Sequence, residues 1–284
     1  MIADIEGKIR ACESLGSDNF LVTVDAPTMA PLILPGQFVM AAAGEPYSQP
    51  FPLLRRAIAV FSIEGSNRDL VTLLLKIVGD GTRKLAGMKE GDSIHLVGPL
   101  GCGFDCELAR GRRGLIVAGG VGIASVYLLA EQLVRQGTDV HLIYGGRTAA
   151  DLVCLDYFEA LPISLLLTTE DGSRGLAGRV TEALAKYLPG VSPENNVVYA
   201  CGPNPMMKAV SSQVVHLGVP CQVSVETKMA CGFGVCLGCS VKVEDRYRLA
   251  CTHGPVFEAA GFQPVIRKLY QIGLNNLFVF SKTT

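Results

Sequence analysis

The sequence Cys-Gly-Phe-Gly-Val-Cys-Leu-Gly-Cys at residues 231–239, followed by Cys251, decides how the rest of the chain is interpreted. The cysteines follow the spacing Cys-x4-Cys-x2-Cys-x11-Cys. Thiolates spaced so closely converge only if the backbone wraps tightly around a shared ligand. The intervening glycines permit this, because glycine adopts positive φ and lets backbone N–H groups approach sulfur. The stretch therefore predicts a site whose metal ligands are Cys231, Cys236, Cys239 and Cys251.

The cysteine spacing favours a [2Fe–2S] cluster over the other groups that four cysteines hold. A Cys-x4-Cys-x2-Cys run with a more distant fourth cysteine is the plant-type ferredoxin spacing. A structural zinc ion is the alternative, but zinc sites usually use two knuckles of similar spacing. Disulfides are disfavoured, because residues 1–6 contain acids and no apolar signal region. The ten cysteines then indicate thiols and metal ligands in a cytoplasmic protein.

Length and composition narrow the protein class further. A chain of 284 residues favours two or three domains, and 49% hydrophobic against 18% charged residues argues for packed cores rather than disorder. The net charge of −1 gives no basic surface for a nucleic acid. Residues 114–130 carry no charge, but glycines interrupt them and they are slightly short for a membrane span. We therefore expect neither a nucleic acid nor a membrane as partner.

Residues 1–108 are predicted to form an antiparallel β-barrel domain. Short apolar or alternating runs are separated by proline and glycine turn signals, a pattern typical of barrels. The runs lie at residues 20–24, 37–40, 58–63, 70–76 and 93–97. Residues 82–87 have the length of one helical turn between the last two strands.

Two features of this first domain have the chemistry of an anion site. Arg55 and Arg56 place two guanidinium groups at the start of a strand, and arginine suits bidentate binding of a pyrophosphate. The sequence Gly-Asp-Gly-Thr at 79–82 exposes backbone N–H groups, and Thr82 is a candidate cap for the short helix. The alternatives are a solvated arginine pair and an ordinary turn.

Residues 109–220 are predicted to form a parallel-sheet, nucleotide-binding α/β domain. The apolar strand 115–118 runs into Gly-Gly-Val-Gly at 119–122, and a helical pattern then continues to about residue 136. A strand, a glycine turn and a helix open a dinucleotide-binding unit, although the third glycine of the strict Gly-x-Gly-x-x-Gly pattern is absent. Further strands are predicted at 139–144, 163–169 and 196–200, with helices at 178–187 and from about 205.

The carboxyl ends of these strands are the expected ligand edge of the sheet. In parallel α/β sheets, ligands bind outside the strand carboxyl ends. The glycine turn at 119–122 and the Cys-Gly-Pro sequence at 201–203 both fall there. The alternative for Cys201 is a buried thiol without a binding role.

Residues 221–284 are predicted to form a small cluster domain with a C-terminal tail. Alternating residues at 240–244 and 247–250 predict a hairpin that returns Cys251 to the other cysteines. The tail holds an apolar stretch at 265–280 that either packs on its own domain or contacts a partner. The predicted class is therefore a multi-domain protein combining β and α/β architecture.

The order of barrel, nucleotide domain and cluster domain resembles the ferredoxin-reductase superfamily and, within it, the electron-transfer subunits of type B dihydroorotate dehydrogenase. The resemblance covers roughly residues 5–258. It rests on the four-cysteine motif and on the residues at 54–59, 79–82, 98–104, 119–122, 201–203 and 254–257.

The resemblance implies a set of cofactor-binding residues. For FAD they are Arg56, Ala57, Ile58, Ala59, Leu74, Leu75, Lys76, Gly81 and Thr82. For the nicotinamide nucleotide they are Gly119, Gly120, Gly122, Cys201, Gly202 and Pro203. The family usually has Arg-Pro-Ile-Ser where this chain has Arg-Ala-Ile-Ala at 56–59, so one hydroxyl that can bond the flavin is missing.

The implied activity is electron transfer in pyrimidine biosynthesis. A separate FMN-bearing subunit oxidises dihydroorotate, and electrons pass through FMN, the cluster and FAD to NAD+ in a heterotetramer. No acid–base pair with a compelling signature occurs in this chain, so no catalytic residue is predicted. The alternatives are a reductase subunit for ferredoxin, NADP or sulfur compounds, and a non-catalytic zinc-binding interaction module. Arg147 favours the NADP alternative, because it follows the second strand where it could meet a 2′-phosphate.

Overall fold

The computed structural model describes residues 2–44 and 54–262, and its first third is a closed barrel of antiparallel strands. The strands are β1 (Ala3–Gly16), β2 (Asn19–Asp25), β3 (Phe38–Ala43), β4 (Arg56–Glu64), β5 (Leu70–Lys76) and β6 (Ser93–Leu100). They pair in the order β1-β2-β5-β4-β3-β6, and β1 closes the barrel against β6. The predicted antiparallel barrel is therefore confirmed.

Strand β1 is the barrel element that the sequence patterns did not predict. In the first half of β1, exposed charged residues alternate with residues that face the barrel interior, as a barrel strand requires. Two of the inward residues are Ala3 and Gly7, which contribute little apolar signal. The periodicity was therefore present but too weak to predict a strand.

The middle of the chain forms a mainly parallel sheet, as predicted. Its strands are β7 (Arg113–Gly119), β8 (Val140–Gly146), β9 (Ser164–Thr169), β10 (Leu176–Ala177), β11 (Asn196–Cys201), β12 (Cys221–Ser224) and β15 (Val256–Glu258), in the order β10-β9-β8-β7-β11-β12-β15. Helices α2 (Tyr127–Arg135), α3 (Leu155–Glu159), α4 (Val180–Tyr187) and α5 (Asn204–Val214) connect them, while α1 (Asp80–Ala86) belongs to the barrel. Strands β7 and β11 are buried almost throughout, which explains their continuous apolar sequences.

The cluster segment is inserted into this sheet. Strand β12 pairs in parallel with β11, and β15 pairs antiparallel with β12. Residues 225–255 lie between these two strands and contain the hairpin β13 (Ser240–Val243) and β14 (Arg246–Leu249). The domain limit predicted at residue 221 thus falls at the start of a sheet strand, and the domain limits themselves stay a prediction.

Two of the hydrophobic cores join the parts of the molecule. One core contains Phe61 of β4 together with α2, α3 and the sheet, and Phe61 stacks on Tyr127 with ring centroids 4.8 Å apart. Another contains Met40 of β3, the sheet and two of the cluster cysteines. The barrel, the sheet and residues 231–251, which we call the cluster loop, therefore pack on one another through shared apolar burial.

Two further findings bear on the predictions. None of the helices in the described ranges combines the length and hydropathy that crossing a bilayer requires. The apolar stretch predicted at residues 265–280 lies outside the described residues.

Candidate functional site

A cavity of about 470 Å³ lies between the barrel, the glycine turn and the segment after β12. Seven of the nine residues predicted to contact FAD line it. They are Ala57, Ile58, Ala59, Leu74, Leu75, Lys76 and Thr82. The opposite wall includes Ser125 after the glycine turn, Met229 before the cluster loop, and Pro255. We call this space the flavin cavity.

The other two predicted FAD residues, Arg56 and Gly81, lie against each other beside Thr82. A Cβ atom on Gly81 would collide with the Arg56 guanidinium, so the arginine covers the first turn of α1. The two candidate anion features, separate in sequence, therefore form one cationic corner. Arg55 points elsewhere, because its guanidinium forms two hydrogen bonds to the Asp4 carboxylate at 3.2 and 3.3 Å.

Thr82 organises the start of α1 in a way that differs from the prediction. The helix begins at Asp80, so Thr82 lies within it rather than before it. Its hydroxyl accepts hydrogen bonds from the backbone N–H groups of Val78 at 2.9 Å and Gly79 at 3.2 Å. The side chain therefore fixes the glycine turn from inside the helix.

A second cavity, of about 570 Å³, lies at the carboxyl ends of the parallel strands. Gly119, Gly120 and Pro203 line it, as predicted for the nicotinamide nucleotide, together with Arg147 and Arg179. This position matches the rule that ligands of parallel sheets bind beyond the strand carboxyl ends. We call this space the nucleotide cavity.

The nucleotide cavity is not lined by the other three predicted residues, Gly122, Cys201 and Gly202, which lie behind its wall. A Cβ atom on Gly122 would lie 2.5 Å from the Cys201 carbonyl oxygen, so the glycine turn and the Cys-Gly-Pro loop touch directly. Cys201 is 1% exposed, and burial raises the pKa of its thiol. These three residues shape the cavity through backbone contact, and their predicted role in nucleotide binding stays a prediction.

The helix predicted directly after the glycine turn begins later than expected. A 3₁₀ segment covers Gly120–Ser125, and α2 starts only at Tyr127. Gly120 has φ +51°, which is compatible with a tight turn and not with a regular helix start. The part of this segment that lines the nucleotide cavity, Gly120 and Val121, therefore belongs to the tighter turn and not to α2.

Three residues line both cavities and mark where they meet: Lys76, Val121 and Glu226. Glu226 was missed in the sequence, although it lies just past β12, at the same carboxyl edge as the glycine turn. Its side chain is exposed to the open space of the cavities, but protein surrounds it on the other sides, and the resulting desolvation raises the pKa of its carboxyl group.

The cluster loop brings two of the four cysteine sulfurs into contact and aims a backbone N–H at a third. The Cys239 and Cys251 sulfurs lie 3.1 Å apart, and the Cys236 backbone N–H points at the Cys231 sulfur at 3.5 Å. Within residues 2–44 and 54–262, no three His, Cys, Asp or Glu side chains are placed to hold one metal ion. The role of Cys231, Cys236, Cys239 and Cys251 as cluster ligands therefore stays a prediction.

The electrostatics around Cys231 favour a thiolate. Burial alone would raise the pKa of Cys231, but backbone N–H groups of Cys236, Phe233 and Val235 outweigh burial and lower it to about 6. Burial and the neighbouring Cys239 sulfur raise the pKa of Cys251 instead. Backbone N–H groups aimed at sulfur are also what tunes bound iron–sulfur clusters, so the loop has the donor set that a cluster needs.

The cluster loop packs directly against the barrel beside the flavin cavity. Gly232 has φ +87°, and a Cβ atom there would collide with Met40 and approach Leu100. Phe38, which lines the flavin cavity, shares a hydrophobic core with Cys239 and Cys251. The predicted flavin and cluster sites are thus connected through packed protein.

The outer face of the same loop carries apolar side chains in solvent. Phe233 is 49% exposed, Val235 74% and Leu237 61%. Three exposed apolar residues within five positions form a patch, which we call the loop patch, of the kind that marks interaction sites.

Two family descriptions match the chain. "Oxidoreductase NAD-binding domain" matches residues 116–212, and "Iron-sulfur cluster binding domain of dihydroorotate dehydrogenase B" matches residues 226–262. The first covers the strands around the nucleotide cavity, and the second covers the insertion between β12 and β15. Both matches agree with the sites that the geometry indicates.

Curated relatives extend the similarity over most of the chain. The electron transfer subunit of dihydroorotate dehydrogenase B (NAD(+)) from Desulforamulus reducens is 34% identical over 89% of this chain and 95% of its own length. The subunit of the same name from Caldanaerobacter subterraneus is 40% identical over 79% of this chain and 85% of its own length.

Solved structures share the fold. The NADH-dependent reduced ferredoxin-NADP oxidoreductase structure matches with a TM-score of 0.77 and 30% identity, over 90% of this chain and 89% of that chain. A ferredoxin NADP+ reductase from Neisseria gonorrhoeae with bound FAD and NADP matches with a TM-score of 0.63 and 23% identity, over 76% of this chain and 92% of that chain. The second likeness concerns the fold alone.

Proposed function

The chain belongs to the family of electron transfer subunits of dihydroorotate dehydrogenase B, and from this membership we propose that it transfers electrons between a partner subunit and NAD+. The observation that carries the proposal is the arrangement of three sites in series. The cluster loop packs on the barrel beside the flavin cavity, and the flavin cavity meets the nucleotide cavity at Lys76, Val121 and Glu226. Electrons entering at the cluster can thus reach the nicotinamide without leaving the protein.

The residues present fit the three cofactors. The cationic corner of Arg56 and α1 suits the FAD pyrophosphate, and the apolar wall formed by Leu74 and Leu75 suits a flavin ring. The four cysteines are the proposed ligands of the [2Fe–2S] cluster. Bound FAD supplies the exchange between two-electron hydride chemistry and one-electron cluster chemistry. The chain's own residues bind, orient and separate these groups.

We propose that the partner is an FMN-bearing dihydroorotate-oxidising subunit and that it docks on the loop patch. The relatives are named as electron transfer subunits, and we recognise no pyrimidine site within residues 2–44 and 54–262, so we assign the substrate to the partner. The loop patch is adjacent to the cysteines, which is where a short electron path between proteins needs an apolar contact. A complex of two copies of each subunit in the cytoplasm completes the proposal.

The test compares two activities of the purified full-length chain. We expect NADH oxidation with an artificial dye by this chain alone, because hydride transfer to FAD needs only its two cavities. We expect dihydroorotate oxidation with NAD+ only after an FMN-bearing partner is added. Dihydroorotate turnover without the partner would contradict the subunit assignment. An absorption spectrum together with iron and sulfide content separates the cluster from a colourless zinc site.

A reductase that uses NADP and ferredoxin is the second candidate function. It is favoured by the similarity to the ferredoxin-NADP oxidoreductase structure and by Arg147 and Arg179, two cations in the nucleotide cavity that suit a 2′-phosphate. Glu170 lines the same cavity and opposes a phosphate there. Dye reduction that strongly prefers NADPH, without a response to the FMN partner, would move the assignment to this candidate.

A further inference from the structure

The junction of the two cavities contains a contact between the barrel and the nucleotide-binding sheet, formed by Lys76, which lines both cavities, and Asp151, which lines the nucleotide cavity. Lys76 is the last residue of β5 and lines both cavities. Its Nζ atom lies 3.6 Å from Oδ1 of Asp151, which belongs to the segment between β8 and α3. The pair therefore crosses from the barrel to the sheet at the point where the two cavities meet.

This ion pair is less exposed to solvent than a surface pair. The Lys76 side chain is 29% exposed and that of Asp151 is 14% exposed. Partly buried charges are screened less by water and salt than exposed charges. The other carboxylate oxygen of Asp151 lies 3.8 Å from Nε of Arg147, which is itself largely exposed. Lys76 is thus the less exposed of the two cations that face this carboxylate.

Asp151 itself is held in place on the sheet side. Its Oδ2 atom accepts a hydrogen bond from the Thr148 backbone N–H at 3.2 Å. Its backbone carbonyl accepts a hydrogen bond from the Tyr144 hydroxyl at 3.0 Å, and Tyr144 is fully buried in β8. The carboxylate is therefore a fixed point of the nucleotide domain, and Lys76 is the group drawn to it.

We propose that Asp151 is a positioning residue that clamps Lys76 and thereby sets the separation of the flavin cavity and the nucleotide cavity. The inference rests on the proposed function. A flavin and a nicotinamide bound in the two cavities would exchange a hydride, a proton with two electrons; in the direction that the test uses, NADH would become NAD+ as the flavin is reduced. Such a transfer needs reacting atoms about 3–3.5 Å apart, and a misplacement of about 1 Å costs on the order of 100-fold in rate.

Removing the Lys76–Asp151 pair should shift the two cavities relative to each other without unfolding the chain. Phe61, Tyr127 and the surrounding core already hold the barrel on the sheet. Apolar burial is not directional, whereas an ion pair between two anchored groups fixes one distance. Loss of the carboxylate charge should therefore leave the chain folded with both cavities present and the cofactors misaligned.

The first experiment is Asp151→Asn in the full-length, FAD-loaded chain. Asparagine retains an oxygen for the Thr148 N–H, so the substitution removes the charge and keeps the local turn. We expect unchanged FAD content, NADH affinity within about threefold of wild type, and flavin reduction at saturating NADH at least about tenfold slower in stopped-flow absorbance. The long-wavelength charge-transfer absorbance between nicotinamide and flavin should weaken in parallel. Asp151→Glu should restore part of both signals.

The matched control is Asp139→Asn. Asp139 also pairs with a cation, Arg113 at 2.6 Å, but at the opposite edge of the sheet, where it lines neither cavity. Its rate and spectrum should match the wild type. Flavin reduction at the wild-type rate in Asp151→Asn would overturn the clamp. So would a loss of NADH affinity with an unchanged saturated rate, since this would make Asp151 a nucleotide-binding residue only.

A second readout does not depend on activity. Urea unfolding of wild type, Lys76→Met, Asp151→Asn and the double variant forms a cycle that measures the coupling of the two side chains. We expect the double variant to lose less free energy of unfolding than the two single variants lose together. Additive losses would show that the two side chains are not coupled and would contradict the clamp. If NADH fails to reduce the wild-type chain, the proposed function fails, while this cycle still decides whether the two groups are coupled.

Discussion

At the scale of single residues, the two arginines at the start of β4 show how neighbouring positions take different roles. Arg55 is neutralised by Asp4 on the barrel surface, whereas Arg56 turns across the strand end and covers Gly81. Arg55 precedes β4 and Arg56 is its first residue, so only the side chain of Arg56 is oriented by the strand. The anion site therefore depends on strand register as well as on residue type.

Arg56→Ala should weaken FAD retention. The substitution removes the guanidinium that we propose contacts the FAD pyrophosphate, a charge-assisted contact worth about 1.5–3 kcal/mol. The measurement is the FAD dissociation constant of the purified chain by flavin fluorescence. Arg55→Ala is the control, and it should bind FAD like the wild type because its partner is Asp4. Equal affinities in the two variants would remove Arg56 from the flavin site.

Glu226→Gln should change how stability depends on pH. Burial raises the pKa of Glu226 in the folded protein, so the folded state holds the proton more tightly than the unfolded chain does. The resulting stabilisation is complete below the unfolded pKa and is lost as pH rises through the folded pKa. Glutamine stays neutral at every pH. The melting temperature of the variant minus that of the wild type should therefore increase as pH rises from about 4 to about 8.

The control for this titration is Glu90→Gln on an exposed turn, which should follow the wild type across the same range. If the difference in melting temperature between Glu226→Gln and wild type stays constant with pH, Glu226 is not perturbed by its surroundings. A hydride-transfer assay at each pH would show separately whether the proton on Glu226 matters to the reaction.

At the scale of secondary-structure elements, the cluster loop depends on the barrel as much as on its own glycines. Gly232 combines a positive φ with direct packing on Met40 of β3 and Leu100 of β6. The loop also hydrogen-bonds its own sulfurs through backbone N–H groups. A loop held from both sides can present four cysteines without the support of a longer helix or strand.

Gly232→Ala should lower cluster content. The new Cβ atom would collide with Met40, and φ +87° is strained for any side chain. We expect less iron and acid-labile sulfide per chain, with FAD content preserved. Gly238→Ala is the matched control in the same loop, because its Cβ would meet the Cys236 sulfur at an ordinary 3.5 Å. Full iron and sulfide in Gly232→Ala would show that the loop adjusts freely.

At the scale of the whole molecule, the parts share their cores. One core joins β4 of the barrel to α2 and α3, and another joins β3 to the sheet and the cluster loop. Cofactor sites that lie between such parts keep their distances only if the parts do not move relative to each other. The shared cores therefore serve electron transfer as well as stability.

Phe61→Ala should destabilise the whole chain by about 3–5 kcal/mol. Phe61 is fully buried and packs on Tyr127 and Tyr157 across the barrel–sheet boundary. Urea denaturation should show a single transition shifted to lower concentration. Phe233→Ala is the comparison, because this exposed side chain should change stability by less than about 0.5 kcal/mol. Similar effects of the two substitutions would mean that the shared core does not couple the barrel to the sheet.

The sequence by itself determined the fold class and most of the chemistry. The spacing of the cysteines predicted the cluster ligands. Period-two alternation and turn signals predicted five of the six barrel strands, and apolar runs followed by glycine predicted the parallel strands. These signals are local, because a cluster ligand set, a strand face and a tight turn each impose requirements within a few residues. Strand β1 was not predicted, because Ala3 and Gly7 on its inward face carry little apolar signal.

Only the tertiary structure decided which of these local features act together. The contact of Arg56 with Gly81, of Gly122 with Cys201, and of Lys76 with Asp151 joins residues that lie 25 to 79 positions apart in the sequence. The place of Glu226 at the meeting of two cavities has no sequence motif either. Chain closure brings such residues together through packing of whole elements, and no local pattern of residue types records that packing.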